Sequence, residues 1–152
     1  MSEINPAYVE ELKESIRKAP YPALMSMTIA DIDRDGCVIA LDGQEKHLQP
    51  FGIVHGGVIA TLIDTATFWA VFLSLPSADD GLVNVDLKLN YLSSVTGGEL
   101  RATGRKIRMG RTIGYSEAHV HDEKGRLIAH GTSTLMVLPG KGLDLGVPRE
   151  LP

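Results

Sequence analysis

The run Gln49-Pro50-Phe51-Gly52-Ile53-Val54-His55-Gly56-Gly57 leads straight into a long apolar segment, and Asp64 interrupts that segment two helical turns further on. Adjacent glycines at a helix start let a ligand reach the backbone. The unpaired first-turn N–H groups and the positive end of the helix dipole favour a negative charge that develops during a reaction. That is the chemistry of an oxyanion site for an attacked carbonyl. A carboxylate among apolar neighbours must be hydrogen-bonded, ion-paired or functional to offset its desolvation, and burial raises its basicity. Taken singly, each feature has a plain structural explanation: glycines that serve packing, and an Asp held by Thr61, Thr65, Thr67 or a distant Arg. Together they point to attack on a carbonyl.

The elements that would carry these groups follow from spacing. From Gly57 to about Leu75 the apolar residues Val58, Ile59, Leu62, Ile63, Ala66, Trp69, Ala70 and Leu73 recur at three- and four-residue intervals until Pro76. This predicts one long helix, apolar on more than a stripe and therefore largely buried. Asn5-Pro6 and the spacing of Val9, Leu12 and Ile16 predict a short opening helix over 4–18, stopped at Ala19-Pro20-Tyr21-Pro22. Two strands are expected around the Asp33-Arg34-Asp35-Gly36 turn. After Gly81, strict alternation puts Val83, Val85, Leu87, Leu89 and Tyr91 on one face of a long strand, with Asn84, Asp86, Lys88 and Asn90 on the other. Three more strand-like segments follow, near 99–109, 112–122 and 126–138, as an antiparallel meander. The reading is a single α+β domain over 1–138, a curled antiparallel sheet of five to six strands around one long central helix. An irregular Gly- and Pro-rich tail spans 139–152.

His55-Gly56-Gly57 opening a central helix with an acid inside it resembles the hotdog-fold thioesterases of the phenylacetate-pathway type, and the likeness in element order spans roughly residues 20–138. The resemblance implies a hotdog fold and an acyl-CoA thioesterase. It implies that Asp64 is the nucleophile or general base, that the Gly56 N–H polarises the thioester carbonyl, and that Asn84 helps place water. The sequence departs from that pattern at Gln49, where the family has Asn, and at Asn84, where relatives carry a hydroxyl residue. Gln offers the same amide on a longer stem, which bears on how the acyl group is oriented.

Gly56 and Asp64 are eight residues apart, about 12 Å along one helix, whereas a reacting carbonyl lies about 3 Å from both roles. One chain cannot offer both to one substrate, so the site is expected to be shared across a homodimer, alone or as a dimer of dimers. Arg101, Arg105, Lys106, Arg108 and Arg111 concentrate five basic residues within eleven positions. They form either a solvated strand face or, for the last four, a clamp on the phosphates of a coenzyme A nucleotide. His47, His119, His121 and His130 lack metal-ligand spacing with Cys or paired carboxylates, and no metal is expected. His55 is expected to orient the loop. Phe68, Trp69 and Phe72 are expected in the core, with one of them able to touch an acyl chain.

Composition narrows the class. The chain has 152 residues and a net charge of −4, from 15 basic and 19 acidic residues, which disfavours a nucleic-acid partner. A single cysteine, Cys37, excludes an intrachain disulfide and suits a reducing compartment. The acidic start Met1-Ser2-Glu3 lacks the features of a secretory signal, and no apolar run reaches ~20 residues, so a cytoplasmic location without membrane contact is expected. The expected activity is hydrolysis of acyl-CoA to free acid and coenzyme A without a cofactor, Gly56 and Gly57 holding the oxyanion and Asp64 acting from the partner chain. The alternatives are a non-catalytic acyl-CoA-binding protein and a hotdog hydroxyacyl-thioester dehydratase.

Overall fold

Asn5 accepts a hydrogen bond from the Ala7 N–H and Pro6 occupies the first helical position, so the chain enters α1 (Pro6–Lys18) with its free donors reduced by two. The computed structural model describes residues 2–152. Tyr8, Leu12 and Ile16 form the buried face of α1. The helix stops at Ala19, whose extended backbone is what the following proline demands. Pro20 then starts a second short helix, α2 (Pro20–Leu24), where the sequence pattern had indicated only a stop. The proline that ends one helix is pre-set for the first position of the next.

Six strands follow: β1 (Met27–Ile32), β2 (Gly36–Gly43), β3 (Gly81–Tyr91), β4 (Gly98–Met109), β5 (Ile113–Asp122) and β6 (Leu127–Leu138). They form one antiparallel sheet in the order β1-β2-β4-β5-β6-β3. The long helix α3 (Gly56–Phe72) lies on one face of it. This is the hotdog architecture, a curled sheet around a central helix. The core sits between them: Leu62, Ile63, Ala66 and Ala70 of the helix against Leu100, Ala102, Ala118, Val120 and Leu135 of the sheet, all fully buried. The helix comes so close that a Cβ on Gly104 would lie 2.2 Å from the Ala66 carbonyl oxygen. That oxygen also accepts the Cys37 thiol at 3.2 Å, and burial pushes the thiol pKa up to about 12.

The alternation expected along β3 breaks at one residue. The register on β6 runs Asn84 opposite Leu135 and then Asp86 opposite Thr134, leaving Val85 as a β-bulge. An extra residue reverses every later side chain relative to those before it. Asn84 therefore shares the helix-facing side with Leu87, Leu89 and Tyr91, while Val83, Asp86, Lys88 and Asn90 face outward. β3 is also an edge strand of eleven residues, with Val83, Val85 and Tyr91 all exposed.

Residues 139–152 form no helix or strand, yet the end of this segment is tied down. Ile4 bridges Glu150, and the buried Arg149 donates to the carbonyls of Leu75 and Ser77 just beyond the C-terminal end of α3, where a cation is favoured. Among the described residues no helix is long and apolar enough to cross a membrane.

Candidate active site

His55 is the N-cap of α3, and its ring Nδ1 accepts the Gly57 N–H at 2.7 Å. Its carbonyl accepts the Val58 N–H at 2.9 Å. Of the first-turn donors, the Gly56 N–H alone makes no hydrogen bond among the described residues. Of the two N–H groups expected to face an oxyanion, that of Gly57 is taken by the side chain before the glycines and that of Gly56 is left open. The loop is anchored further back by His47, which is buried and accepts the Gln44 N–H at Nδ1, contacts the Met25 carbonyl through Nε2, and receives the His55 N–H on its own carbonyl. Nε2 must carry the proton for that arrangement to hold. Gln49 is half-buried; its amide oxygen accepts the Phe51 N–H and its backbone N–H donates to Ile53 at 2.8 Å.

Asp64 was expected among apolar neighbours in a buried helix, but in the single chain it is exposed. Gly57, Thr61, Asp64 and Phe68, at spacings of four, three and four, form the most exposed stripe of α3, with Gly57 and Asp64 open to solvent and Thr61 and Phe68 half-buried. What holds it is Asn84. Its Nδ2 donates to Asp64 Oδ1 at 2.6 Å and to the Asp64 carbonyl at 3.2 Å. The Val85 bulge delivers Asn84 to this face, and the period-two pattern assigned it to the other. With its nitrogen committed to Asp64, the Asn84 Oδ1 is left buried with no partner among the described residues. A buried acceptor in that condition calls for a donor from a water, a substrate or a second chain.

Below the N-terminal end of α3 lies a pocket of about 320 Å³ lined by Gln49, Ile53, Val54, Gly56, Tyr91, Leu92, Ser93 and Ser94. Tyr91 donates its hydroxyl to the Gly56 carbonyl at 3.2 Å. Sequence reasoning placed Tyr91 only on a strand face; its role at the glycines depends on the register of β3 and has no local signature.

The basic stretch divides. Arg105 is bound to Glu117, with Nη2 to Oε1 at 2.6 Å, and this hydrogen bond holds the Glu117 carboxyl below its ordinary range. Lys106 reaches Asp35 at 2.7 Å, Ser74 at 2.9 Å and the Arg34 carbonyl at 2.9 Å. Arg101 pairs with Glu99. Only Arg108 and Arg111 are exposed without an ion-pair partner among the described residues. His119 and His130 lie side by side on the outer face with ring centroids 4.5 Å apart and ring planes inclined at 40°. Phe68, Trp69 and Phe72 pack in mutual contact, with Phe72 buried and the other two partly so.

A lone helix-start donor and an amide-held carboxylate two turns on sit on the central helix of this sheet, and the sequence pattern of the thioesterase superfamily matches residues 51–129, the span that holds Gly56, Asp64 and Asn84. The chain belongs to the thioesterase superfamily. The chain is a thioester hydrolase. It is 27% identical over 113 residues to the 1,4-dihydroxy-2-naphthoyl-CoA hydrolase of Listeria monocytogenes, covering 74% of this chain and 91% of that one. It is 26% identical over 113 residues to the acyl-coenzyme A thioesterase 13 of Mus musculus, covering 73% and 79%. The fold matches the crystal structure of a thioesterase from Haemophilus influenzae at a TM-score of 0.81 and 24% identity, over 91% of this chain and 96% of the other.

Proposed function

We propose that this superfamily member hydrolyses acyl-CoA thioesters at a site divided between two copies of the chain. The Gly56 N–H of one copy receives the thioester carbonyl oxygen, and Asp64 of the other either removes a proton from water as it attacks or attacks the carbonyl itself. Collapse of the tetrahedral adduct expels the coenzyme A thiolate, a leaving group good enough to need no dedicated acid, and where Asp64 is the nucleophile, water then cleaves the resulting aspartyl anhydride to free acid and carboxylate. The observation that carries this reading is the single free donor at the positive end of α3, with an amide-held carboxylate about 12 Å along the same helix.

The long unpaired edge of β3, with Val83, Val85 and Tyr91 exposed, supports pairing with a second copy. The unpartnered Asn84 oxygen supports a water or partner donor beside Asp64. For the nucleotide phosphates, Arg108 and Arg111 remain the better candidates of the four, since Arg105 and Lys106 are already engaged. Two relatives whose names specify CoA thioester hydrolysis support the substrate class, one aromatic and one unspecified in its acyl group.

The test is a hydrolysis screen across acyl-CoA chain lengths and aryl-CoAs, run with wild type and Asp64→Asn. Turnover is expected to fall at least ~10²-fold in the variant while acyl-CoA still binds. Normal turnover in Asp64→Asn would overturn the mechanism. Binding without any hydrolysis by wild type would favour the acyl-CoA-binding reading, and hydration of crotonyl-CoA the dehydratase.

A further inference from the structure

Two glycines in succession give the backbone its widest freedom, which is a liability if one of their N–H groups must hold its aim. In this chain the peptide plane between Gly56 and Gly57 is gripped on both edges. Its N–H donates to the His55 ring at 2.7 Å, and its carbonyl accepts the Tyr91 hydroxyl at 3.2 Å. The two grips come from different elements, one from the helix cap and one from the far end of β3, where Tyr91 sits opposite Ala129. The Tyr91 ring also closes the space beside Gly56: a Cβ on that residue would lie 3.2 Å from three ring and hydroxyl atoms. Tyr91 is 60% exposed, so core packing does not explain its placement.

We infer that Tyr91 is a positioning residue for the oxyanion donor. By fixing the Gly56–Gly57 plane it removes the rotation that would swing the neighbouring Gly56 N–H off the substrate carbonyl, so its hydroxyl acts on the transition state through the backbone. This rests on the reading of Gly56 as the oxyanion donor. Asn84 and Tyr91, an odd number of residues apart, face α3 together only because the Val85 bulge reverses the strand between them, so one irregularity in β3 lets the same strand supply Asn84 to Asp64 and Tyr91 to Gly56.

Tyr91→Phe keeps the ring and deletes the donor. In the full-length protein the expected result is a fall in kcat of about tenfold with KM within about twofold and an unchanged unfolding midpoint. The Gly56 and Gly57 amide resonances should shift, and exchange of the Gly57 amide with solvent should accelerate, both read without substrate. If wild type hydrolyses acyl-CoA and Tyr91→Phe does so equally fast, or if the glycine amides do not respond, the assignment is overturned. A loss of activity that tracks a lowered unfolding midpoint overturns it too, since the residue is then merely structural. A wild-type protein that hydrolyses no thioester sinks the oxyanion reading itself, a result that does not depend on position 91.

Discussion

Gly56 occupies the first position of α3, the one place in a helix where proline is at home, and the residue before it is already extended, with His55 at φ −60° and ψ 137°. Gly56→Pro therefore deletes the proposed oxyanion donor while leaving the backbone path open, at the expense of a few tenths of an ångström from the Tyr91 ring. The expected outcome is a ~10²–10³-fold fall in kcat, with helix content by circular dichroism preserved. Much of this site was legible locally. His55-Gly56-Gly57 and Asp64 stand close together in the chain, and type and spacing are enough to single them out as candidates for the proposed chemistry. The fate of the Gly57 donor was not legible, because it depends on the rotamer of the His55 ring. Nor was the exposure of Asp64: an apolar helix reads as buried all round, while the stripe left open to solvent is a matter of how α3 is docked.

At the level of elements, α3 and all six strands fell within a few residues of their expected bounds, since long periodic runs outweigh local noise. β3 was located correctly, and the faces assigned from Asp86 to Tyr91 hold, whereas Val83 and Asn84, ahead of the bulge, lie on the faces opposite to those expected. Period-two alternation has no way to register one unpaired residue, and Val85 is as good a strand residue as its neighbours. Helix α2 was missed because Pro20 was taken only as a breaker. The contact between α3 and β4 was equally hidden, since nothing local marks Gly104 as the point where a helix carbonyl approaches. Gly104→Ala would force a methyl to within 2.2 Å of the Ala66 oxygen, backbone against backbone. The helix must lift, and a loss of about 2–3 kcal/mol is expected in urea unfolding.

For the molecule as a whole, the exposed edge of β3 is the feature that a lone chain does not account for. An unpaired edge with valines exposed on it is a template for another strand, and charge placed at those positions opposes pairing. Val83→Lys together with Val85→Lys is expected to halve the mass seen by light scattering and to abolish turnover, although neither residue touches Gly56 or Asp64 in its own chain.

The distance between Gly56 and Asp64 along α3 has a genetic corollary. If each working site draws its donor from one copy and its carboxylate from the other, a chain lacking only Asp64 and a chain lacking only the Gly56 N–H are each dead alone but complementary. In a mixed pair, both lesions fall in the same site and the second site is intact. Random pairing of equal amounts makes half of the pairs mixed, so refolding Asp64→Asn with Gly56→Pro together should return about a quarter of wild-type activity. Two null alleles would then yield a working enzyme by interallelic complementation.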